Sequence, residues 1–432
     1  MAPNVIFLNT DQQSRYAMGA SGNPWVHTLN LDALAASGVR FTRAYCAAPV
    51  CSPSRSCLNT GRPSHETGVF VNGISPRSDL PEMCGLFHAA GYDVAWVGNR
   101  RGDQPPTPKE ADERFHLAFP EGQPGLGADM DAPVVDAAID FLRRERDRPF
   151  FLTVPLMNPH DICYSVMDKT PDTADEQQEL PPLPENFEPL EPEADFIRRC
   201  RTRQHYGQEN TYTAGWDENR WRRYLREYYS LCERVDTEVG RLLDALRESG
   251  LEQDTLILHT ADHGEGMAAH RWVCKLTLYE EPVRVPFTLC WPGEIPRGVI
   301  DHQHLVSGLD VLPTLCDWAG VDFPAVTGIS LRPLIENPEQ AGRPFVVSQL
   351  HSDPDNLEMQ GRMLRTQRYK YVAFSQGRNP QMLFDLEQDP GEMHNLAAVA
   401  DSRAELDRHR ALLQAYCAQT QDPFAVAEVL GD

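Results

Sequence analysis

Apolar runs of strand length alternate along this chain with segments of helical periodicity, and this alternation restricts the fold more than any other feature. Val5 to Thr10 and Thr255 to Leu258 both have the pattern of a buried strand. Between them, Tyr224 to Ser249 places apolar residues at helical spacing and stops at Gly250, which predicts the longest helix. Regular alternation of this kind predicts an α/β fold with a large, mainly parallel sheet sandwiched by helices.

Further elements repeat the alternation. Asp93 to Val97 and Phe150 to Val154 are predicted strands. Each follows a segment of helical periodicity, and these segments end near Ala90 and Leu142. In such sheets, ligands bind beyond the carboxyl ends of the strands, so the residues that follow each strand are the first candidates for a site.

The C-terminal part of the chain departs from this pattern. Short strands are predicted at Phe345 to Leu350 and Tyr369 to Phe374, followed by a helix from Ser402 to Cys417. We therefore expect a main α/β domain over residues 1–340. A smaller C-terminal α+β subdomain, with short antiparallel strands and a terminal helix, is expected over residues 341–432.

Residues 161–215 interrupt the alternation with many prolines and acidic residues, as in Pro181–Pro184 and Glu188–Pro192. Aromatic residues persist through this segment, and it adjoins His160, so we expect an ordered excursion over the surface. A disordered linker is the alternative that the composition leaves open.

Composition argues against several classes of partner. With 40 basic and 63 acidic residues, the chain of 432 residues carries a formal net charge of −23, which argues against nucleic acid and acidic membranes as partners. No apolar run approaches the roughly 18 residues of a membrane span, and no secretory signal precedes Val5. The 11 cysteines lack CxxC spacing, which favours reduced thiols. We expect a cytoplasmic protein, or a periplasmic one if a leader has been removed, of undefined oligomeric state.

Polar residues directly follow two of the predicted strands. Asp11 and Gln12 follow the first strand, and Asp262 and His263 follow a later one. Together with Cys51 they form a candidate site for a divalent cation. Carboxylate and amide oxygens suit Ca²⁺, the favoured ion, or Mg²⁺, and an imidazole also tolerates Mn²⁺. The alternative is that the second pair merely forms a turn.

The stretch from Cys51 to Arg55, with the sequence CSPSR, is the most specific short motif. Pro53 suits the first turn of a helix, because its missing N–H has no partner to lose there. A helix start also favours an anion nearby. A cysteine followed two residues later by proline and four residues later by arginine resembles the type I sulfatase signature. The alternative is a buried structural cysteine beside a surface arginine.

Further segments resemble the same family, and they occur in the family's order over nearly the whole chain. They are Asn4–Gln12, Asn158–Asp161, Thr260–Glu265, Lys275–Pro286 and Leu383–Glu392. The chain thus resembles the type I sulfatases, which are formylglycine-dependent enzymes of the alkaline-phosphatase-like superfamily. Within that family it resembles the bacterial carbohydrate sulfatases.

The resemblance implies a mechanism and a set of site residues. Cys51 is converted to formylglycine by a maturation enzyme, and the hydrated aldehyde attacks the sulfur of a sulfate ester. Asp11, Gln12, Asp262 and His263, with residue 51, hold the divalent cation. The substrate is a small-molecule or oligosaccharide sulfate ester.

Charged side chains complete the implied mechanism. Arg55 orients the aldehyde hydrate. Lys275 and His160 steady the charge on the sulfate or protonate the leaving oxygen. His270 is a weaker candidate for contact with the substrate.

One segment departs from the family pattern. Many sulfatases carry Gly-Lys-Trp-His after the strand that here ends at Val97, whereas this chain continues with Asn99, Arg100 and Arg101. We expect these three residues to bind substrate, since an arginine can contact sulfate through two N–H groups. Arginine cannot act as a general acid, so that role passes to His160 or the lysine. Surface arginines that face solvent are the alternative.

A second departure is Gln12, where many sulfatases have an aspartate. A glutamine there also resembles the phosphonate monoester and phosphodiester hydrolases of the same superfamily, which use the same formylglycine chemistry. The leading hypothesis is a sulfatase that acts on a sulfated carbohydrate, and such a hydrolase is the alternative. A non-catalytic anion-binding homologue is less favoured, because Cys51, Arg55, Asp262 and Lys275 are all present.

Overall fold

Strands and helices alternate over most of the chain. The computed structural model describes residues 2–98, 116–118, 126–167, 179–202, 213–351 and 356–424. Its strands are β1 (Asn4–Asp11), β2 (Val39–Phe41), β3 (Ala44–Tyr45), β4 (Asp93–Val97), β5 (His116–Ala118), β6 (Phe150–Pro159), β7 (Thr255–Ala261), β8 (Phe287–Cys290), β9 (Val299–Asp301), β10 (Val306–Ser307), β11 (Val346–His351), β12 (Gln360–Arg365), β13 (Tyr369–Phe374) and β14 (Gln381–Asp385).

The α-helices lie mostly between these strands. They are α1 (Leu29–Ala36), α2 (Cys51–Thr60), α3 (Ser64–Thr67), α4 (Met83–Ala89), α5 (Gly127–Leu142), α6 (Ile162–Val166), α7 (Asp195–Thr202), α8 (Glu218–Glu248), α9 (Glu280–Val283), α10 (Val311–Ala319), α11 (Arg332–Glu336) and α12 (Arg403–Thr420). None of the described helices combines the length and the apolar character that crossing a membrane requires.

A large sheet forms the centre of the described structure, with its strands in the order β5-β4-β6-β1-β7-β8-β2-β9. β1 lies between β6 and β7 and pairs in parallel with both. β4 pairs in parallel with β5 and β6, and β2 pairs in parallel with β9. Antiparallel pairing in the described part of this sheet involves β8 and its neighbours β7 and β2. The predicted mainly parallel sheet is confirmed.

Helices cover both faces of this sheet. Side chains alternate between the faces of a strand, and β1 shows the division clearly. Ile6 and Leu8 lie in a buried cluster with Val239 of α8 and with residues of α5. Phe7 lies in a second buried cluster with Leu315 of α10 and with residues of α2 and α4. The predicted sandwich of helices around the sheet is therefore confirmed.

The longest helix begins earlier than its apolar pattern indicates. α8 starts at Glu218 rather than at Tyr224. The reason is a cap, because the side chain of Asp217 accepts a hydrogen bond from the backbone N–H of Arg220 at 2.8 Å. Its end agrees with the prediction, and Gly250 follows with a φ of 70°.

A separate antiparallel sheet, in the order β11-β12-β13-β14, forms the C-terminal part of the structure. Leu406 and Leu413 of α12 pack against it in a cluster that includes Tyr371. Arg362 of β12 donates to both carboxylate oxygens of Asp422, at 2.7 and 2.9 Å, and so ties the end of the described chain to this sheet. The predicted α+β architecture is confirmed, and its boundary at residue 340 stays a prediction.

The proline-rich and acidic segment, residues 161–215, is packed where the structure describes it. α6 and α7 belong to it. Leu190, Ala194 and Phe196 are buried in one cluster with residues of the C-terminal sheet. The ring of Phe196 stacks on Phe374 with centroids 4.3 Å apart. These described portions have the packing of an ordered excursion rather than of a linker.

Candidate active site

Two neighbouring strands and one helix start meet at the carboxyl end of the central sheet. Asp11 ends β1, and Asp262 follows β7, its parallel neighbour. The backbone N–H of Asp262 donates to the carbonyl oxygen of Thr10 at 3.1 Å, which holds the two strand ends together. α2 begins at Cys51, and every residue of this helix is buried. The fold therefore brings together residues that are far apart in the sequence.

Asp11, Cys51, Asp262 and His263 form a buried group whose potential ligand atoms all lie within 4.8 Å of one another. The Nε2 atom of His263 is 3.7 Å from Asp262 Oδ1 and 3.9 Å from Asp11 Oδ1. Its Nδ1 atom lies 2.9 Å from the carbonyl oxygen of Gly264. Donation to that carbonyl leaves the Nε2 lone pair directed at the group, as in a metal-binding histidine. Burial lowers the pKa of His263, which favours the neutral form that binds metal.

Arg55 bridges the two carboxylates of this group and offsets one of their two negative charges. Its guanidinium donates to Oδ2 of Asp11, and its Nε atom lies 3.1 Å from Oδ2 of Asp262. The Oδ1 atoms of both carboxylates therefore remain on the side of His263. Burial alone would raise the pKa of Asp11, but the charge of Arg55 and of further basic neighbours holds it well below its usual range. Ionised carboxylate oxygens and one imidazole form a donor set that fits a hard divalent cation.

Lys275 reaches the sulfur of Cys51. Its Nζ atom is 2.9 Å from Cys51 Sγ and 2.7 Å from Oε1 of Gln12. Burial would lower the pKa of Lys275, but its interactions with Cys51, Cys163 and Asp11 hold it well above its usual value. Cys274 and Leu276 on either side have φ angles of 61° and 70°, which such residues rarely adopt. A strained backbone therefore presents the amine of Lys275 to residue 51.

Gln12 makes its side-chain contacts outside the cation group. Its φ is 71°, and its backbone N–H donates to Asp262 Oδ1 at 3.0 Å. The side-chain oxygen accepts from Lys275, and the NH₂ group donates to Glu265 at 2.5 Å. The role of Gln12 as a metal ligand stays a prediction, since its amide serves the lysine in this structure.

Glu265 is a site residue that the sequence analysis missed. It is fully buried, and it accepts hydrogen bonds from Gln12, from the hydroxyl of Tyr224 and from the backbone N–H of Cys274. Burial raises the pKa of Glu265 to about 7. It fixes the amide of Gln12 and, through it, the position of Lys275. The only available signal was that Glu265 lies two residues after His263 in a segment that resembles the family.

His160 lies on the wall of the pocket and is held there by two carboxylates. Asp131 of α5 accepts from two backbone N–H groups shortly before His160, at 2.6 and 3.0 Å. Asp161, the next residue along, accepts from the first two backbone N–H groups of α5, both at 2.8 Å. The end of β6 and the start of α5 are thus joined by two sets of hydrogen bonds, one accepted by a carboxylate of α5 and the other by a carboxylate just after β6.

A pocket of about 220 Å³ leads to Cys51. Its polar lining is Asp11, Arg55, Asn72, His160 and Lys275, and its remaining lining is Cys51, Met157, Cys163, Tyr164 and Met167. An anionic group that enters it meets two buried cations, and an apolar and aromatic surface lies beside them. The pocket thus unites the predicted catalytic residues Cys51, Arg55, His160 and Lys275.

His270 is not brought to this pocket. Its side chain is buried, and its ring stacks on Tyr279 with centroids 3.9 Å apart. Burial lowers the pKa of His270 to about 3, so the ring is neutral. This position gives no support to the predicted contact with substrate. Asn99, Arg100 and Arg101 lie outside the described residues, and their predicted roles stay predictions.

The fold and the pocket define a hydrolase of anionic esters, and comparisons with known proteins agree. A Delta 4,5-hexuronate-2-O-sulfatase of Bacteroides thetaiotaomicron is 31% identical over 447 residues, which cover 100% of this chain and 92% of that protein. A solved 2-O GAG sulfatase has a TM-score of 0.88 at 29% identity, over 100% of this chain and 95% of its own. A phosphonate monoester hydrolase of Agrobacterium radiobacter shares the fold, with a TM-score of 0.79 at 23% identity over 97% and 96% of the two chains.

Two family patterns match the sequence. The sulfatase pattern matches residues 3–321, and a pattern described as "N-sulphoglucosamine sulphohydrolase, C-terminal" matches residues 268–415. The chain therefore belongs to the sulfatase family. This confirms the resemblance found in the sequence motifs and the expected class of enzyme, a sulfuric ester hydrolase.

Proposed function

We propose that this sulfatase uses a formylglycine at position 51 and a divalent cation to hydrolyse sulfate esters of a carbohydrate. The observation that carries the proposal is the position of Cys51, whose Sγ atom lies 2.9 Å from Lys275 Nζ and 3.4 Å from His263 Nε2. A nucleophile held there meets a buried positive charge and a group of cation ligands at the wall of a pocket. Attack on a negatively charged ester requires this combination.

The cation would be held by Asp11, Asp262 and His263, with residue 51 as a further ligand. This donor set suits Ca²⁺ best and also admits Mg²⁺ or Mn²⁺. When bound, the cation supplies Lewis-acid polarisation of a sulfate oxygen. Gln12 joins the ligand set only if its amide turns away from Lys275.

The side chains around residue 51 have the remaining catalytic roles. Formylglycine, made from Cys51 by a maturation enzyme, supplies the hydrated aldehyde as nucleophile. Arg55 fixes the carboxylates beside residue 51 and orients the hydrate. Lys275 stabilises negative charge at the point of attack. His160, on the pocket wall, is placed to protonate the departing alcohol oxygen.

A sulfated carbohydrate fits the lining of the pocket. Lys275 offers a cation for the sulfate, while Met157, Tyr164 and Met167 offer a surface for the less polar face of a ring. The similarity to a Delta 4,5-hexuronate-2-O-sulfatase and to a 2-O GAG sulfatase supports a 2-O-sulfated uronate as the first substrate to test.

A phosphonate monoester or phosphodiester hydrolase is the second candidate. Gln12 favours it, because glutamine in place of the aspartate of many sulfatases removes one negative charge from the site. A site with less negative charge repels an anionic phosphonate less strongly. The shared fold of the phosphonate monoester hydrolase does not bear on substrate choice.

The first experiment pairs turnover with mass spectrometry of the peptide that contains residue 51. The substrates are an aryl sulfate, a phenyl phosphonate and an unsaturated disaccharide with a 2-O-sulfated uronate. We expect sulfate release in proportion to the aldehyde content of the preparation. Faster phosphonate cleavage would favour the second candidate. Full aldehyde content without turnover of any of the three would contradict the proposal and favour an anion-binding homologue.

A further inference from the structure

Two cysteines that the proposed mechanism does not use face each other beside the pocket. Cys163 belongs to α6, and Cys274 lies 111 residues further along the chain, between β7 and α9. Their Sγ atoms are 3.5 Å apart. Cys163 lines the pocket and is 4% exposed, whereas Cys274 lies behind it and is fully buried. One thiol is therefore open to a small reagent in the pocket, and the other is shielded.

A bond between the two sulfurs requires only a short movement. A disulfide has an S–S distance of about 2.05 Å, so the two atoms need to approach by about 1.5 Å. Cys274 already has a φ of 61°, and the segment from β7 to α9 contains a 3-10 turn, Ala269–Arg271, and no other helix or strand. A movement of Cys274 towards Cys163 therefore breaks no helix or strand, although it strains the hydrogen bonds that hold this buried segment.

The same two cysteines contact the residues that hold Lys275. The Sγ atom of Cys163 lies 3.2 Å from Nε2 of Gln12, whose Oε1 atom accepts from Lys275. Cys274 directly precedes Lys275, and its backbone N–H donates to Glu265. Movement of Cys274 towards Cys163 therefore displaces the lysine and disturbs the amide that fixes it.

We propose that Cys163 and Cys274 form a peroxide-sensitive dithiol whose reversible oxidation to a disulfide lowers the turnover of the adjacent site. The effect on turnover rests on the proposed function, whereas the formation of the bond does not. The oxidant is a hydroperoxide small enough to enter the pocket.

The chemistry takes two balanced steps. Cys163 attacks the peroxide, the O–O bond breaks, and the products are a sulfenic acid on Cys163 and one water from hydrogen peroxide, or one alcohol from an alkyl hydroperoxide. The sulfur of Cys274 then attacks the sulfur of that sulfenic acid, which forms the S–S bond and releases water. Each hydroperoxide thus oxidises two thiols, and a dithiol reductant reverses the change. Residue 51 does not compete, because conversion to formylglycine removes its thiol.

The test uses the matured, cation-loaded full chain treated with hydrogen peroxide. Peptide mass spectrometry measures the link between Cys163 and Cys274, and turnover is followed on whichever substrate the untreated enzyme cleaves. We expect the link to appear and turnover to fall at least about tenfold, since a shift of about 1 Å in a catalytic group has an effect of that order. Dithiothreitol should restore both.

Variants separate this pair from the other cysteines. Cys163→Ser should abolish both the link and the response of turnover to peroxide. Cys84→Ser removes a thiol of similar exposure, 6% against 4%, and should keep both. Oxidation of Cys163 to a sulfinic acid without a link would overturn the proposal, and so would a complete link that leaves turnover unchanged. The linked peptide is measured without substrate, so a failure of the proposed function would not be mistaken for a failure of the dithiol.

Discussion

The Nζ atom of Lys275 and the Sγ atom of Cys51 are 2.9 Å apart, and they join two segments separated by 224 residues. The lysine is 1% exposed, and its amide partner, Gln12, is itself held by Glu265. A cation placed this firmly needs no reorganisation when negative charge develops at residue 51. This is the condition under which electrostatic stabilisation of a transition state is strongest.

Lys275→Ala should lower the turnover number at least about tenfold, because it removes the charge that faces the point of attack. The measurement is steady-state kinetics on an aryl sulfate, with the aldehyde content of residue 51 determined in each preparation. Lys275→Arg, which keeps the charge in another shape, should recover part of the loss. An unchanged turnover number in the alanine variant would assign the role to the arginines near residue 100.

Cys51→Ala should abolish sulfate release without unfolding the chain, because it removes the precursor of the nucleophile and leaves a small side chain at the start of α2. Release of sulfate and the circular dichroism spectrum are the two measurements. Cys57→Ala is the matched control, since Cys57 is buried in the same helix but does not line the pocket. Appreciable turnover by the Cys51 variant would refute the nucleophile assignment.

Removal of the divalent cation should lower both turnover and thermal stability. A ligand that binds only the folded state stabilises it by about 2.7 kcal/mol when its concentration is 100 times its dissociation constant. The measurement is the thermal midpoint before and after dialysis against a chelator, followed by addition of Ca²⁺, Mg²⁺ or Mn²⁺. Asp11→Asn should make the midpoint insensitive to the chelator. If the wild-type midpoint and turnover are both unaffected, the four-residue group does not hold a functional cation.

Asp161→Ala should impair the enzyme by releasing His160. The substitution leaves the backbone N–H groups of Gly127 and Ala128 without their acceptor. Gly127 is buried, so the loss there costs about 1–3 kcal/mol, whereas the N–H group of the exposed Ala128 can bond to water. The substitution also frees the residue next to His160, so we expect the turnover number to fall more than the KM changes. Urea unfolding and kinetics measure the two effects. Asp140→Ala, on the exposed side of α5, is the control. An equal loss of turnover number in both variants would contradict a role of Asp161 in positioning His160.

Asp422 should make the stability of the C-terminal part depend on pH. Burial would raise the pKa of Asp422, but hydrogen bonds from Arg362 hold it below its usual value. Its stabilising effect is therefore fully present above about pH 4, the pKa of an unfolded aspartate, and is lost as the pH falls further. Asp422→Asn should lower the free energy of unfolding by about 3 kcal/mol at pH 7, because it leaves a buried guanidinium without its counterion.

The measurement for Asp422 is urea unfolding of wild type and variant at pH 7 and at pH 3. The difference between the two proteins should shrink at the lower pH. Asp79→Asn breaks an exposed ion pair with Arg77 and should have little effect at either pH. A difference that stays constant across this range would place the pKa of Asp422 outside the window inferred from its contacts.

The strand ends could be predicted from the sequence because a buried parallel strand leaves a continuous apolar run. Asp11 and Asp262 follow such runs, and neighbouring parallel strands bring their ends to the same edge. The end of β6 was harder to predict, since the apolar run that predicts this strand stops at Val154, before Pro155. In the structure β6 continues to Pro159, and its pairing with β4 ends at Thr153. Proline is tolerated beyond that point because β6 then pairs on one side only.

The layer behind the site could not be predicted. Tyr224 and Cys163 carry no motif of their own, and Glu265 is set apart only by its place at the end of a family-like segment. Their importance comes from contacts that only the packed fold defines, of Cys163 with Gln12, of Tyr224 with Glu265 and of Glu265 with the backbone of Cys274. His270 shows the opposite case, since a histidine between two family-like segments, predicted as a weaker candidate for contact with substrate, is buried against Tyr279.

The burial of α2 has a consequence for when residue 51 can be modified, which is before the chain has folded. Every residue from Cys51 to Thr60 is buried, so an enzyme that converts Cys51, as proposed, has little access to it once the sheet has closed around α2. Under the proposed function, conversion of Cys51 therefore competes in time with folding. A polypeptide that folds first would then keep the thiol and be inactive. The specific activity of a preparation would then report the fraction of chains converted before folding, rather than the fraction that is correctly folded.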